Sequence, residues 1–111
     1  MEAFMTAINI FFLITCLSIS YLFKSNYPKD INSLIGYRTK RSMASKEAWL
    51  LANSYSSKTL FDYALVTVVI QASLFIVFGA RVALLGILIL WTVALLATIV
   101  QTEIRLKKAN P

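Results

Sequence analysis

Three long apolar stretches, separated by one polar segment and one very short connection, set the pattern of this chain. Residues 3–23 contain no charge. As a helix they cover about 31 Å, enough for the hydrocarbon core of a bilayer. A second apolar run, 60–80, carries Asp62 near its start, and a third, 82–102, carries no charge. Gly79-Ala80-Arg81 leaves room only for a tight connection, so the second and third runs are predicted to form an antiparallel transmembrane hairpin. A cleaved signal peptide would open with basic residues and close on a small-residue cleavage site. The chain instead opens Met1-Glu2, and no Lys or Arg precedes Lys24. The first run is therefore expected to be a retained span. The pattern predicts one all-α integral membrane domain over 1–111, with spans at 3–23, 60–80 and 82–102, a cytoplasmic loop at 24–59 and a basic tail at 103–111.

The polar positions inside the runs are few. Thr6, Asn9, Cys16 and Ser20, with Leu13 between them, share one face of the first helix. Small and polar residues let membrane helices approach and hydrogen-bond, so this is expected to be a packing face, with Asn9 also a candidate ligand contact. Gln71, mid-span, is a candidate interhelical hydrogen bond. An acid inside a span is functional by default. Asp62, however, is the third residue of its run and four after Lys58, which favours a structural ion pair at headgroup level.

The loop is patterned. Pro28 disfavours helix at Tyr27, and residues 24–31 read as an exit turn. Ser45 is a candidate N-cap, with Glu47 in the first turn where its charge complements the helix dipole. Ala48, Leu51, Ala52 and Tyr55 then recur at the spacing of an amphipathic helix. Trp49 flanks that stripe as an interfacial anchor, and Lys46, Glu47, Asn53 and Ser54 fall on the other side. The prediction is a short interfacial helix lying along the membrane surface, loosened at its end by Ser54, Ser56 and Ser57.

Composition agrees. The chain is 59% hydrophobic and 14% charged, with mean hydropathy +0.72, where soluble domains carry roughly 25% charged residues. So short a chain cannot bury that much apolar surface in a core of its own. The net charge of +6 thus marks loops beside anionic membrane lipid, and direct nucleic-acid binding is not expected. Of the eleven basic residues only Arg81 lies at the hairpin turn, and the other ten flank the runs in the loop and tail. The excess predicts an outside N-terminus and a cytoplasmic C-terminus.

Candidate chemistry is sparse. There is no histidine, Cys16 is alone, and there are three glycines and five acids scattered along the chain. No paired carboxylates, metal-ligand cluster or phosphate loop assembles from these. An enzyme is not expected, nor are catalytic, cofactor-binding or metal-binding residues. Arg38 has three readings: a solvated positive-inside charge, a bidentate contact to lipid phosphate, or a pin that binds Glu47, Asp62 or loop carbonyls beside a turn at Gly36.

Asn32, the run Ile35-Gly36-Tyr37-Arg38-Thr39, then Arg41-Ser42, Glu47, Trp49 and Ala52-Asn53 resemble the signature of the SdpI family of bacterial membrane proteins, in which a GYRT-type segment precedes a W-x-x-A-N helix. The longer members carry further membrane segments ahead of this unit, so the chain is similar to the short YfhL-type members. The resemblance implies an immunity factor against a secreted SdpC-like toxin peptide. It names Asn32, Gly36, Tyr37, Arg38, Thr39, Ser42, Glu47, Trp49 and Asn53 as a structural cap or partner-binding motif. It also implies an SdpR-like repressor as a further partner, as in the longer members. Two other classes share the outline. A small multidrug-type transporter would need a membrane-buried carboxylate, which the first run lacks. A holin would not need a patterned loop of 36 residues.

Overall fold

The computed structural model describes residues 1–109. Its elements are three helices: α1, Glu2–Ser25; α2, Lys46–Phe78; and α3, Ala80–Ala109. Each is long and apolar enough to cross a membrane, and the described residues contain no strand. The protein is an all-α, multi-pass membrane protein. The bundle measures 49 × 22 × 18 Å, close to the length expected of a single 33-residue helix such as α2 (about 50 Å).

Local chemistry explains the helix ends. α1 has Glu2 in its first turn and Lys24 in its last, each opposing the nearby end of the helix dipole. It closes with the Asn26 N–H on the Leu22 carbonyl at 2.9 Å, two residues before Pro28. At the start of α2, Ser45 Oγ accepts the Ala48 N–H at 3.0 Å, the predicted N-cap. α2 ends where Gly79 takes φ +94°, a region that L side chains rarely adopt. The Gly79 N–H closes on the Phe75 carbonyl at 3.0 Å, and α3 begins at the next residue. A one-residue break turns the chain back on itself.

α2 and α3 pack most extensively against each other, and α1 lies against both. The buried positions within the α2 and α3 spans are mostly small residues, Ala64 and Thr67 on α2 and Ala83, Ala94 and Thr98 on α3, with Ile87 a large apolar side chain among them nearer the hairpin. Small side chains let the backbones approach closely, so dispersion can act without a hydrophobic driving force. The large apolar residues point outward instead: Phe11, Ile14, Val69, Ile76, Leu88 and Val93 are all exposed. α1 buries only Asn9 and Ser20.

The predicted interfacial helix forms, but not as a separate element. It is the first part of α2, continuous with the span. Ser54, Ser56 and Ser57 do not end it; their hydroxyls bond back to the carbonyls of Leu51, Asn53 and Ser54, three residues earlier, at 3.2, 3.5 and 3.1 Å. Polar side chains that satisfy themselves on their own helix do not break it. Nor does the stripe lie on lipid. Ala48 and Ala52 pack with Leu51 against Leu106 of α3 and Tyr37 of the loop. The reason is the tail, which stays helical through Ala109 and carries protein surface out to meet the stripe. The last two residues of the expected tail, 110–111, lie outside the described residues.

Candidate functional site

At the end of the bundle away from the hairpin, residues 26–45 fold into a cap over the first turns of α2. Its centre is the Asn53 side chain. Oδ1 accepts the Tyr37 N–H at 2.7 Å, and Nδ2 donates to the Tyr37 carbonyl at 3.4 Å and to the Trp49 carbonyl at 3.0 Å. One buried amide thus serves both backbone groups of a loop residue, as a neighbouring strand would. Gly36 makes the approach possible. It holds φ +108°, and a Cβ there would lie 2.6 Å from Asn53 Oδ1, 2.8 Å from Pro28 Cγ and 3.3 Å from Trp49 Cζ2. No side chain fits.

Trp49, the largest fully buried residue, fills the space beneath. Its Nε1 donates to the Pro28 carbonyl at 2.9 Å. This corrects the expectation of an interfacial anchor: a tryptophan at the lipid boundary would keep one edge wet, whereas this ring is enclosed and spends its donor on the loop. Asn53 likewise belongs to the buried side of α2, not the outer one. Glu47 is exposed, in keeping with a dipole contact in the first turn.

Two local motifs shape the loop. Asn32 Oδ1 accepts the N–H groups of Leu34 and Ile35 at 3.0 and 2.7 Å, and Nδ2 donates to the Asp30 carbonyl at 3.1 Å, an Asx-type turn. The Asn32 carbonyl in turn receives Arg38 Nε at 2.9 Å. Arg38 is therefore a pin on a loop carbonyl, with the rest of its guanidinium exposed. Ser42, fully buried, accepts the Thr39 N–H at 2.7 Å, and its own hydroxyl faces the carbonyls of Thr39 and Tyr37 at 2.9 and 3.0 Å.

The cap is latched to α3 by Glu103, a residue that sequence reasoning left in the tail. One carboxylate oxygen, Oε2, accepts the Tyr37 hydroxyl at 2.8 Å and the Thr39 hydroxyl at 3.0 Å. Arg41 Nε stands 3.9 Å from the other oxygen. Burial first, and then the neighbouring carboxylate, push the Tyr37 hydroxyl well above its ordinary titration range, so it remains a donor. Glu103 is the one acid among the basic residues of its segment, which was a signal. Its partners lie more than 60 positions away, and no local spacing reveals them.

At the opposite end of the bundle a second polar group joins all three helices. Asn9 Nδ2 donates to the Met5 carbonyl on its own helix at 2.8 Å and to the Ala80 carbonyl of α3 at 2.9 Å. Asn9 Oδ1 receives Gln71 Nε2 from α2 at 3.1 Å. The interhelical bond expected of Gln71 is present, and its partner is Asn9, the other candidate polar contact within the spans. Asp62 differs from expectation. It is exposed, no cation among the described residues lies within ion-pair distance, and it lines an open groove of about 450 Å³ with Lys58, Tyr63 and Gln101. Lys58, one turn earlier, is itself exposed.

The frame that the sequence singled out is thus one folded unit. Residues 29–101 match the model of the SdpI/YfhL protein family. The chain belongs to that family. Among its relatives is a protein of Bacillus subtilis (strain 168) named only as uncharacterized protein YfhL, 40% identical over 80 residues, which are 72% of this chain and 68% of that protein. No solved structure matches. The family match covers the cap from Lys29, all of α2 and most of α3, and stops just short of Glu103. It leaves out α1, whose part in the fold is read from the structure alone.

Proposed function

We propose that this chain is a bacterial immunity protein that gives resistance to a secreted SdpC-like antimicrobial peptide, binding it in the cell membrane without turnover. The observation that carries this reading is the family match across cap and hairpin, in a family that is not one of enzymes. The geometry is consistent with binding rather than chemistry. The polar groups of Tyr37, Thr39, Ser42 and Asn53 are engaged with one another or with Glu103, which stiffens a frame. A proton-coupled carrier fits less well, because residues 3–23 of α1 contain no acid and Glu103 of α3 is engaged by Tyr37, Thr39 and Arg41. The excess of basic residues at the cap end supports a cytoplasmic cap and an outside hairpin turn. In that orientation the cap faces the compartment where an SdpR-like repressor, the further partner of the longer family members, would be held.

Expression in a toxin-sensitive strain tests the reading. Cells with the protein in their membrane should survive challenge by an SdpC-like peptide that kills the parent strain. Unchanged killing, with the protein present in the membrane fraction, refutes it.

A further inference from the structure

The cap turns three large aliphatic side chains outward within five positions: Ile31 is 43% exposed, Leu34 86% and Ile35 62%. Their backbone is tied down. Asn32 Oδ1 accepts the N–H groups of Leu34 and Ile35, and Gly36, the next residue, lies close against Asn53, Pro28 and Trp49. Large apolar groups clustered on a held loop mark a contact surface. Their height in the bundle identifies the contact. Gly36 and Tyr37 line one groove with Phe23 of α1, Leu60 of α2 and Ile99 of α3, and the Tyr37 hydroxyl lies 3.2 Å from the Ile99 carbonyl. Phe23 closes the first apolar run, Leu60 opens the second and Ile99 is within a turn of the end of the third. The loop tip thus stands at the rim of the hydrocarbon core, in the headgroup layer of roughly 5–7 Å on each face. Around the tip the charge has one sign. Lys46 stands 4.0 Å from Asp30 and Arg41 3.9 Å from Glu103, while Lys29, Arg38 and Lys40 are exposed with no carboxylate in ion-pair reach among the described residues. Arg38 spends only Nε on the Asn32 carbonyl, which leaves both terminal nitrogens of the guanidinium for a bidentate acceptor.

We propose that residues 31–35 are a membrane-surface anchor: Ile31, Leu34 and Ile35 enter the acyl boundary of the surrounding bilayer, and Arg38 binds the phosphate of an anionic phospholipid. Apolar side chains beside unpaired cations are the composition of a segment that lies in a membrane interface. The bundle is only 22 × 18 Å across, so lipid headgroups surround it at this height. A second copy of the chain would bring the same cations against Lys29, Arg38 and Lys40, and like charges oppose that contact. The interfacial role expected of Trp49 thus falls to the loop in front of it. The anchor is independent of the immunity reading.

The test uses the full chain in lipid nanodiscs, with Cys16→Ser and a nitroxide on Leu34→Cys or, as a control elsewhere on the exposed cap, on Ala44→Cys. Power-saturation spectroscopy compares collisions with oxygen, which partitions into lipid, and with a water-soluble nickel chelate. In phosphatidylcholine discs that contain phosphatidylglycerol, the label at 34 should favour oxygen and the label at 44 the chelate. Leaving out the phosphatidylglycerol, which changes nothing in the chain, should lower the ratio of inserted to water-exposed label at 34 by at least about fivefold, the effect of one cation near an anionic surface. Arg38→Gln should lower that ratio about fivefold in the anionic discs and leave it unchanged in phosphatidylcholine alone. A loss equal in both lipids would mean that Arg38 only shapes the loop, and overturns the phosphate contact. A label at 34 as open to the chelate as that at 44 overturns the anchor. So does shielding of position 34 from both reagents, which is the mark of a protein contact.

Discussion

Gly36 is the position where one methyl group decides the cap. Alanine there would have to adopt φ +108° and overlap Asn53 Oδ1, so Gly36→Ala should destabilise the cap by about 2–4 kcal/mol. Thermal unfolding of the detergent-solubilised protein, with protease sensitivity of the loop as the local probe, measures this. Trp49→Phe keeps most of the packing and loses the bond to Pro28, and about 1 kcal/mol of stability should go with it; Trp49→Ala should cost about 3–5 kcal/mol. Arg38 separates structure from recognition. Its exposed side chain makes one bond to the Asn32 carbonyl, so Arg38→Ala should lower stability by about 1 kcal/mol or less. Loss of protection at full abundance would then place the guanidinium at a partner surface, whereas Lys40→Ala should leave both readouts unchanged. The candidate site was legible here to an uneven degree. Gly36 stood out by type as a turn, Ser42 and Asn53 were named only by the family resemblance, and the burial of Trp49 depends on a loop folding back over it from 21 positions away.

At the scale of elements, the latch between loop and α3 is the new feature. Tyr37→Phe and Glu103→Leu each remove the hydroxyl–carboxylate contact, from opposite sides, so their effects on unfolding should be non-additive in a double-mutant cycle; additive losses would mean the hydroxyl and carboxylate act separately. The pH dependence follows from the direction of the Tyr37 shift. A hydroxyl whose pKa is raised on folding contributes stability that is fully present below the unfolded tyrosine value of about 10 and is lost as pH rises through the higher folded value. The latch should therefore hold unchanged through neutral and mildly alkaline pH and open only in strong alkali. A tyrosinate absorbance titration of wild type and Tyr37→Phe checks it: the variant should lack the component that titrates above the ordinary range.

At the scale of the molecule, α1 is the lightly held helix, attached by Asn9 near one end and by Tyr21 and Lys24 against Phe61 of α2 near the other. Asn9→Leu should leave the α2–α3 hairpin intact and loosen α1, since it removes the contacts to Gln71 and Ala80. A cysteine pair placed across α1 and α2 near the hairpin end should crosslink efficiently in the wild type and poorly in Asn9→Leu. Equal crosslinking would mean that lipid packing alone holds the bundle.

Hydrophobic run lengths, the absence of charge within them and the glycine between the second and third runs were enough to determine three membrane-length helices and a hairpin, because a bilayer accepts little else from such stretches. The N-cap at Ser45 and the amphipathic stripe after it were equally local, and equally readable. Only the tertiary structure decided what that stripe faces. The helical tail brings Leu106 and Glu103 up beside it, so the interfacial segment becomes protein core and merges with the span. The pairing of Asn9 with Gln71 and the enclosure of Trp49 have the same origin. They are contacts between residues far apart in the chain, and each exists only once three helices have fixed the distances among them.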